Sequence, residues 1–267
     1  MIEVINANKS FDGNQVLKNI SAKFESGKTN LIIGQSGSGK TVLLKSIIAL
    51  HRIDSGKILY NGRNVPDMKR KELKNLRKEM GMLFQGSALF DSMTVAENVM
   101  FPIEVFSGMT KEEAADRVKF CLERVELAHA ANLYPSEISG GMQKRAAIAR
   151  AIALNPKYLF CDEPNSGLDP KTALVIDQLI QEITREYNMT TIVNTHDMNS
   201  VMEIGDNIIF IYKGEKHWQG NKDEIFTSDN KELNDFVFAS DLFKMVKKAQ
   251  STSPPTPQRG EFRSNEI

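Results

Sequence analysis

Residues 34–41 of this 267-residue chain read Gly-Gln-Ser-Gly-Ser-Gly-Lys-Thr, between the apolar runs Leu31-Ile32-Ile33 and Val42-Leu43-Leu44. The first run reads as a buried strand and the second as the opening of a helix. Gly34, Gly37 and Gly39 permit backbone angles and close approaches that a side chain would block. Several successive N–H groups then turn toward one point, at a helix N-terminus whose dipole favours anions. Lys40 can reach outer phosphates, and the Thr41 hydroxyl can ligate Mg²⁺. Gly34, Ser36, Gly37, Ser38, Gly39, Lys40, Thr41 and Val42 are therefore the candidate phosphate-binding set.

A loop of this kind needs a strand edge, and the rest of the chain supplies one. Short apolar strand candidates recur at 2–5, 30–33, 57–60, 158–161, 190–194 and 207–212. Helical stripes lie between several of them, such as Ile176, Leu179, Ile180, Ile183 and Tyr187, or Val118, Cys121, Leu122 and Val125. This alternation predicts a mainly parallel sheet with helices on both faces. The early strands, about 2–25 and 56–61, lack intervening helices and read as antiparallel. From about 86 to 155 no strand is evident, and the stretch reads as a helical insertion. After about 246 the chain turns Ser/Thr/Pro-rich, which reads as a disordered tail.

Composition excludes some classes. Lys plus Arg equals Asp plus Glu, 34 each, so no global basic field gathers nucleic acid. The basic stretch 69–78 includes Glu72 and reads as a solvated helix face. Two cysteines make no disulfide framework, and both fit a reducing compartment. No secretory signal is visible at the start, and no apolar run reaches the ~18 residues of a membrane span. Work at a membrane would require a partner.

Further candidates follow the strands. Tyr158 to Cys161 is apolar and ends in Asp162-Glu163. Ligands of an open parallel sheet gather at C-terminal strand ends. Asp162 would face the phosphates and hold Mg²⁺, and Glu163 would polarise an attacking water. His196 follows the strand Thr191-Ile192-Val193-Asn194, where a γ-phosphate would be contacted. Gln85 ends the apolar stretch Met80 to Phe84 and could sense metal or water. Asp169 reads equally well as a turn residue. Phe11 could stack on adenine, or be an ordinary core aromatic.

Ser139-Gly140-Gly141 precedes a helix expected over Gln143 to Leu154, carrying Arg145 and Arg150, with Ser139 as N-cap. That makes a second anion-binding helix terminus. Two anion sites and one nucleotide suggest that each subunit completes its partner's site.

Together these residues resemble the ATP-binding cassette (ABC) ATPases over about residues 1–225. The match includes the loop at 34–41, Gln85, the signature at 138–142, the strand and carboxylates at 158–163, the turn at 166–169, and His196. It implies an α/β fold of P-loop NTPase type: a RecA-like parallel sheet, an antiparallel β subdomain and an inserted α-helical subdomain. The implied organisation is an ATPase domain over 1–245: a core with its β subdomain at 1–85 and 156–225, a helical subdomain at 86–155, and a C-terminal helical extension at 226–245. The tail is 246–267. The implied cofactors are ATP and Mg²⁺, with Thr41, Gln85 and Asp162 at the metal, and Glu163, His196 and Gln85 as catalytic residues. Phe11, Ser139, Gly140, Gly141 and Asp169 join the nucleotide-binding set. The implied assembly is a head-to-tail dimer with two ATP molecules sandwiched between subunits. Met142 departs from the Gln usual in the family, and activity is expected to survive that change.

A finer resemblance is to the Mla-type ATPases of phospholipid transport. It rests on Met82-Leu83-Phe84-Gln85, Ala88-Leu89-Phe90, Asn98-Val99, Ser139-Gly140-Gly141-Met142 with Arg145, and Asp162 through Asp169-Pro170. It implies a permease, a periplasmic lipid-binding partner, and a place at the cytoplasmic face of a bacterial inner membrane. The alternatives are an ABC ATPase for another cargo, a polar solute or lipoprotein, and a soluble ABC ATPase such as those of iron–sulfur assembly. The segment after Gln85, with Ala88, Leu89, Phe90 and Met93, is expected either to form a groove for a short permease helix or to pack inside the insertion.

Overall fold

The computed structural model describes residues 1–239, 244, 245 and 247. In chain order the strands are β1 (Ile2–Phe11), β2 (Asn14–Phe24), β3 (Thr29–Ile33), β4 (Ser55–Tyr60), β5 (Arg63–Asn64), β6 (Met80–Leu83), β7 (Tyr158–Asp162), β8 (Thr190–Asn194), β9 (Asn207–Tyr212) and β10 (Glu215–Gly220). The helices are α1 (Lys40–Ile47), α2 (Arg70–Lys78), α3 (Val95–Phe106), α4 (Lys111–Arg124), α5 (Gly140–Ile152), α6 (Pro170–Glu186), α7 (Met198–Ile204), α8 (Lys222–Thr227) and α9 (Lys231–Val237). The tail expected at 246–267 lies, Lys247 apart, outside the described residues.

The strands form two sheets, in the orders β2-β1-β4-β5 and β10-β9-β3-β8-β7-β6. In the larger sheet every pairing is parallel except β9 with β10. A parallel sheet must be covered on both faces, so its strands carry apolar residues toward each. Leu31, Ile33, Leu159, Cys161, Val193, Ile208 and Phe210 point into one core, with residues of α3 to α7 and α9. Their strand neighbours Ile32, Tyr158, Phe160, Ile192, Ile209 and Ile211 point into the other. There they meet Leu43, Leu44 and Ile47 of α1, and Ile2, Val4, Leu17 and Ile20 of the smaller sheet. The smaller sheet pairs antiparallel throughout, as expected, although its strands do not lack an intervening helix: β3 and α1 lie in the chain between β2 and β4.

The apolar stripe of α6 is buried from Ile176 to Ile183, and that of α4 at Val118, Cys121 and Leu122. On α2 only Leu76 is buried, so the basic stretch is the solvated face expected of it. Both cysteines are free and fully buried.

Two elements differ from expectation. β10 (EKHWQG) carries no apolar run because it is an edge strand, half exposed. Helix α5 begins at Gly140 rather than Gln143. The first-turn N–H groups of a helix lack intrahelical partners, so glycine costs little there. Ser139 Oγ accepts from Met142 N at 3.3 Å and closes that turn.

Asp177 of α6 is 2% exposed, and its Oδ1 has no partner. Burial pushes its carboxyl up to about 6, against hydrogen bonds from Ser200 and Asn165. The folded state therefore holds the proton more tightly than the unfolded chain. Its contribution is fully present below about pH 4 and is lost as pH rises through about 6. Asp177→Asn should remove roughly 3 kcal/mol of pH dependence between those limits. Melting temperatures of both proteins at pH 4, 5, 6 and 7 read this directly; parallel curves contradict it.

Candidate functional site

Strand β3 is buried at every residue and ends at Gly34, where the chain turns into the loop that feeds α1. At Gly34 (φ +149°) a Cβ would run into the backbone carbonyl of Ile211 on β9 and the Ser38 hydroxyl. At Gly39 (φ +107°), the N-cap of α1, it would meet Val16 O at 3.1 Å. α1 has no side-chain cap and no acidic residue in its first turn, so its positive end is uncompensated. Ser38 Oγ is buried without a partner.

Lys40 folds back over this loop, its Nζ donating to Gly34 O at 2.8 Å and Gln35 O at 3.1 Å. Burial lowers the pKa of its ammonium, while Glu163 and Asp162 pull it the other way. These carboxylates arrive from β7, which pairs in parallel with β8 so that Asp162 stands beside Asn194. Asn194 Nδ2 donates to Asp162 Oδ1 at 3.0 Å, and Asn194 Oδ1 is buried with no partner. Glu163 takes a left-handed φ of 49°, with its N–H on Asn194 O at 2.9 Å. Its Oε2 accepts from His196 Nδ1 at 2.8 Å; the Glu163 side chain is 16% exposed and that of His196 is 68% exposed.

A cleft of about 750 Å³ unites Ser36, Gly37, Gly39, Lys40, Thr41 and Val42 with Gln85, Glu163 and His196. It falls within the usual size of small-ligand sites. Gln85 Nε2 also donates to Ser166 Oγ at 3.3 Å. A second cavity of about 500 Å³ adjoins, lined by Glu163, Asn165, Ser166 and His196 among others.

Other expected residues do not line the cleft. Phe11 packs edge-on against His51, centroids 5.2 Å apart, with Lys9 over its ring. It sits at the far end of β1, and Val16 of β2 occupies the cleft wall instead. Asp169 is the N-cap of α6, accepting from Lys171 N and Thr172 N at 3.1 Å and from Thr172 Oγ1 at 2.5 Å. Those bonds, led by the Thr172 hydroxyl, hold its carboxyl below the ordinary range. Ser139 and Gly140 are exposed. Gly141 packs so closely on Thr172 that a Cβ would lie 2.6 Å from Thr172 Cγ2. One chain thus presents the Lys40 loop and the Ser139-capped helix at separate places.

Sequence reasoning missed Gln35, Val16 and Phe236 of α9, all in the cleft wall. It also missed Asn194, although a polar residue closing the buried run Thr190–Asn194 was a legible signal. Phe236 carried none.

Beyond Gln85 an apolar groove of about 680 Å³ is lined by Met82, Phe84, Ala88, Phe90, Phe101 and Phe106, with Lys74, Arg77 and Lys78 at its edge. Ala88 and Phe90 face this groove, whereas Leu89 packs against the core.

The family described as ABC transporter matches residues 17–166. The methionine import ATP-binding protein MetN of Clostridium acetobutylicum is 39% identical over 241 residues, spanning 90% of this chain and 75% of the relative. A probable ribonucleotide transport ATP-binding protein, mkl, of Mycobacterium leprae is 36% identical over 88% of this chain and 68% of its own. Among solved structures, a dimeric post-hydrolysis ATP-binding cassette, MJ0796, with ADP and Pi is 33% identical at TM-score 0.75. It covers 83% of this chain and 99% of that one. The structure of cbiO1 from Clostridium perfringens reaches TM-score 0.80 at 30% identity, covering 94% and 98%.

The loop's two kinds of glycine should respond differently to substitution. Gly34→Ala adds a clash with β9 backbone and should cost at least ~2 kcal/mol. At Gly37 (φ +78°) a Cβ meets nothing within 4 Å. Gly37→Ala should therefore cost only ~1 kcal/mol, from backbone strain alone. Denaturant unfolding of the two variants checks the order, and equal losses would contradict it.

Proposed function

The chain belongs to the ABC transporter family of ATP-hydrolysing proteins, and on that footing we propose that it is the ATPase subunit of a membrane transporter, working as a head-to-tail dimer. The observation that carries this reading is the cleft in which the Lys40 loop, Gln85, Glu163 and His196 converge while Ser139 stands outside it. The uncapped start of α1, the orphaned Ser38 hydroxyl and the open space at Gly37 fit a polyphosphate.

In this reading the Lys40 ammonium meets the outer phosphates of ATP. Glu163 orients the attacking water or accepts its proton, and the Nδ1–H of His196 holds that carboxylate in place. Thr41, Gln85 and Asp162 offer hydroxyl, amide and carboxylate oxygens, a donor set suited to a hard divalent cation. Among the described residues no cluster of three or more His, Cys, Asp or Glu is placed to hold a metal ion. When bound, Mg²⁺ would neutralise charge building on the phosphate oxygens. The Ser139 terminus of α5 closes the partner's cleft.

The groove at Ala88, Phe90 and Phe101 is the proposed seat of a short permease helix, with Lys74, Arg77 and Lys78 favouring a carboxylate on it. Among the described residues no helix is long and apolar enough to cross a membrane. A permease would thus hold the subunit at the cytoplasmic face of the membrane. For cargo we favour phospholipid, from the Mla-type resemblance, with a periplasmic lipid-binding subunit beyond the permease. The names of the methionine and ribonucleotide relatives support a second reading, a small polar solute.

A mixed dimer of Lys40→Ala and Ser139→Arg chains concentrates both defects in one site and spares the other. Mixing should restore ATP hydrolysis that neither variant shows alone. No gain, with heterodimers verified by mass spectrometry, would favour a self-contained site.

Cargo is decided in vesicles holding the complex purified through this subunit. ATP-dependent movement of fluorescent phospholipid, without uptake of labelled methionine, is expected. The reverse outcome would replace lipid by solute.

A further inference from the structure

Two cations of α5, buried Lys144 and half-buried Arg150, hold a segment that has little regular structure of its own. Lys144 is 4% exposed, and its Nζ donates to the backbone carbonyl of Gln85. Nearly two turns later Arg150 spreads its guanidinium over adjacent carbonyls, Nη2 on Ser87 O at 2.7 Å and Nη1 on Ala88 O at 2.6 Å. Ser87 and Ala88 both hold left-handed φ angles, 62° and 49°. L-residues adopt that conformation only where their surroundings enforce it. From the other side buried Asn98 of α3 donates to Phe90 O at 3.1 Å and accepts from Phe90 N at 2.8 Å.

Among the described residues neither Lys144 nor Arg150 forms a salt bridge. Desolvated charges on neutral carbonyls are a costly way to hold a loop. Burial accordingly pulls the Lys144 ammonium below its usual pKa. The carbonyls they hold are those of Gln85, which lines the cleft, and of Ser87 and Ala88, which lead into the groove. The helix that bears them starts at Ser139.

We propose that Lys144 and Arg150 are positioning residues that clamp 85–88 to α5, so that a shift of the Ser139-capped helix moves Gln85 in the cleft and Phe90 in the groove together. This rests on the reading of the cleft as an ATP site closed by a partner's Ser139. In the clamp the two cations act as a rigid joint: one set of charge-assisted bonds carries motion from one copy's nucleotide to the other copy's membrane-facing groove.

Amide hydrogen exchange on the full-length chain tests it, with and without Mg²⁺ and a non-hydrolysable ATP analogue. In wild type the analogue should slow exchange at 86–90 about tenfold. Arg150→Met and Lys144→Met keep apolar length but lose the donors. Each should bind the analogue within about twofold of wild type and keep α5 protected, yet lose the response at 86–90. Arg150→Lys, which reaches one carbonyl rather than two, should retain part of it. Without nucleotide, both methionine variants should speed exchange at 85–90 about tenfold. The clamp is overturned if nucleotide-free exchange there is unchanged. It is overturned equally if variants that bind the analogue transmit the full response, or if wild type binds it with none. Wild type that fails to bind the analogue would instead sink the ATP-site reading, and the nucleotide-free arm still judges the clamp.

Discussion

Parallel pairing of β3 with β8, and of β8 with β7, is the constraint on which the site depends. Strands that run the same way end on the same edge. Gly34, Asn194 with His196, and Asp162 with Glu163 are therefore neighbours, although Gly34 lies over a hundred residues from the others in the chain. Reversing β7, a strand of five residues, would carry its carboxylates roughly 16 Å away. Such a sheet stands only if both faces are covered, and the strict alternation of its side chains between two cores does this. Gly34 belongs to the same logic, because the backbone of β9 passes where its Cβ would be.

Charge inside the molecule is handled by backbone carbonyls as much as by ion pairs. Lys40 and Lys144 are both buried and both donate to carbonyls, and burial lowers the pKa of each. Their surroundings differ. Lys40 sees Glu163 and Asp162, so it stands in a field already arranged for charged chemistry. Lys144 holds a single peptide carbonyl at the cleft's border. In the readings proposed above, the same kind of bond serves an anion site in one place and a joint in the other.

Ser139, Gly141 and Asp169 stand apart from the Lys40 cleft. Ser139 spends its oxygen capping α5, Gly141 presses on Thr172, and Asp169 caps α6. Each has a complete local explanation, and none faces the Lys40 cleft. They are ordinary in one copy, and in the proposed dimer they complete the partner's site.

The loop at 34–41 was legible because glycine spacing, a following lysine and flanking apolar runs are all local. So were the parallel sheet, from alternating strands and helices, and the placement of Glu163 and His196 at strand ends, since that follows from sheet direction alone. The cap at Ser139 is also local chemistry, whereas Asp169, which alone reads equally well as a turn residue, proves to cap α6. What the sequence could not supply depends on neighbours distant in the chain. β10 is a strand only because β9 offers it an edge. Phe11 lies off the cleft and Val16 on it because of how the β1–β2 hairpin packs beside α1. Phe236 reaches the cleft from a helix with no motif at all. Lys144 and Arg150 look like two more cations on a helix until the fold sets them, one buried and one half-buried, on carbonyls of Gln85, Ser87 and Ala88. Burial is a property of the packed chain, and only the tertiary structure decides which charges lose their water.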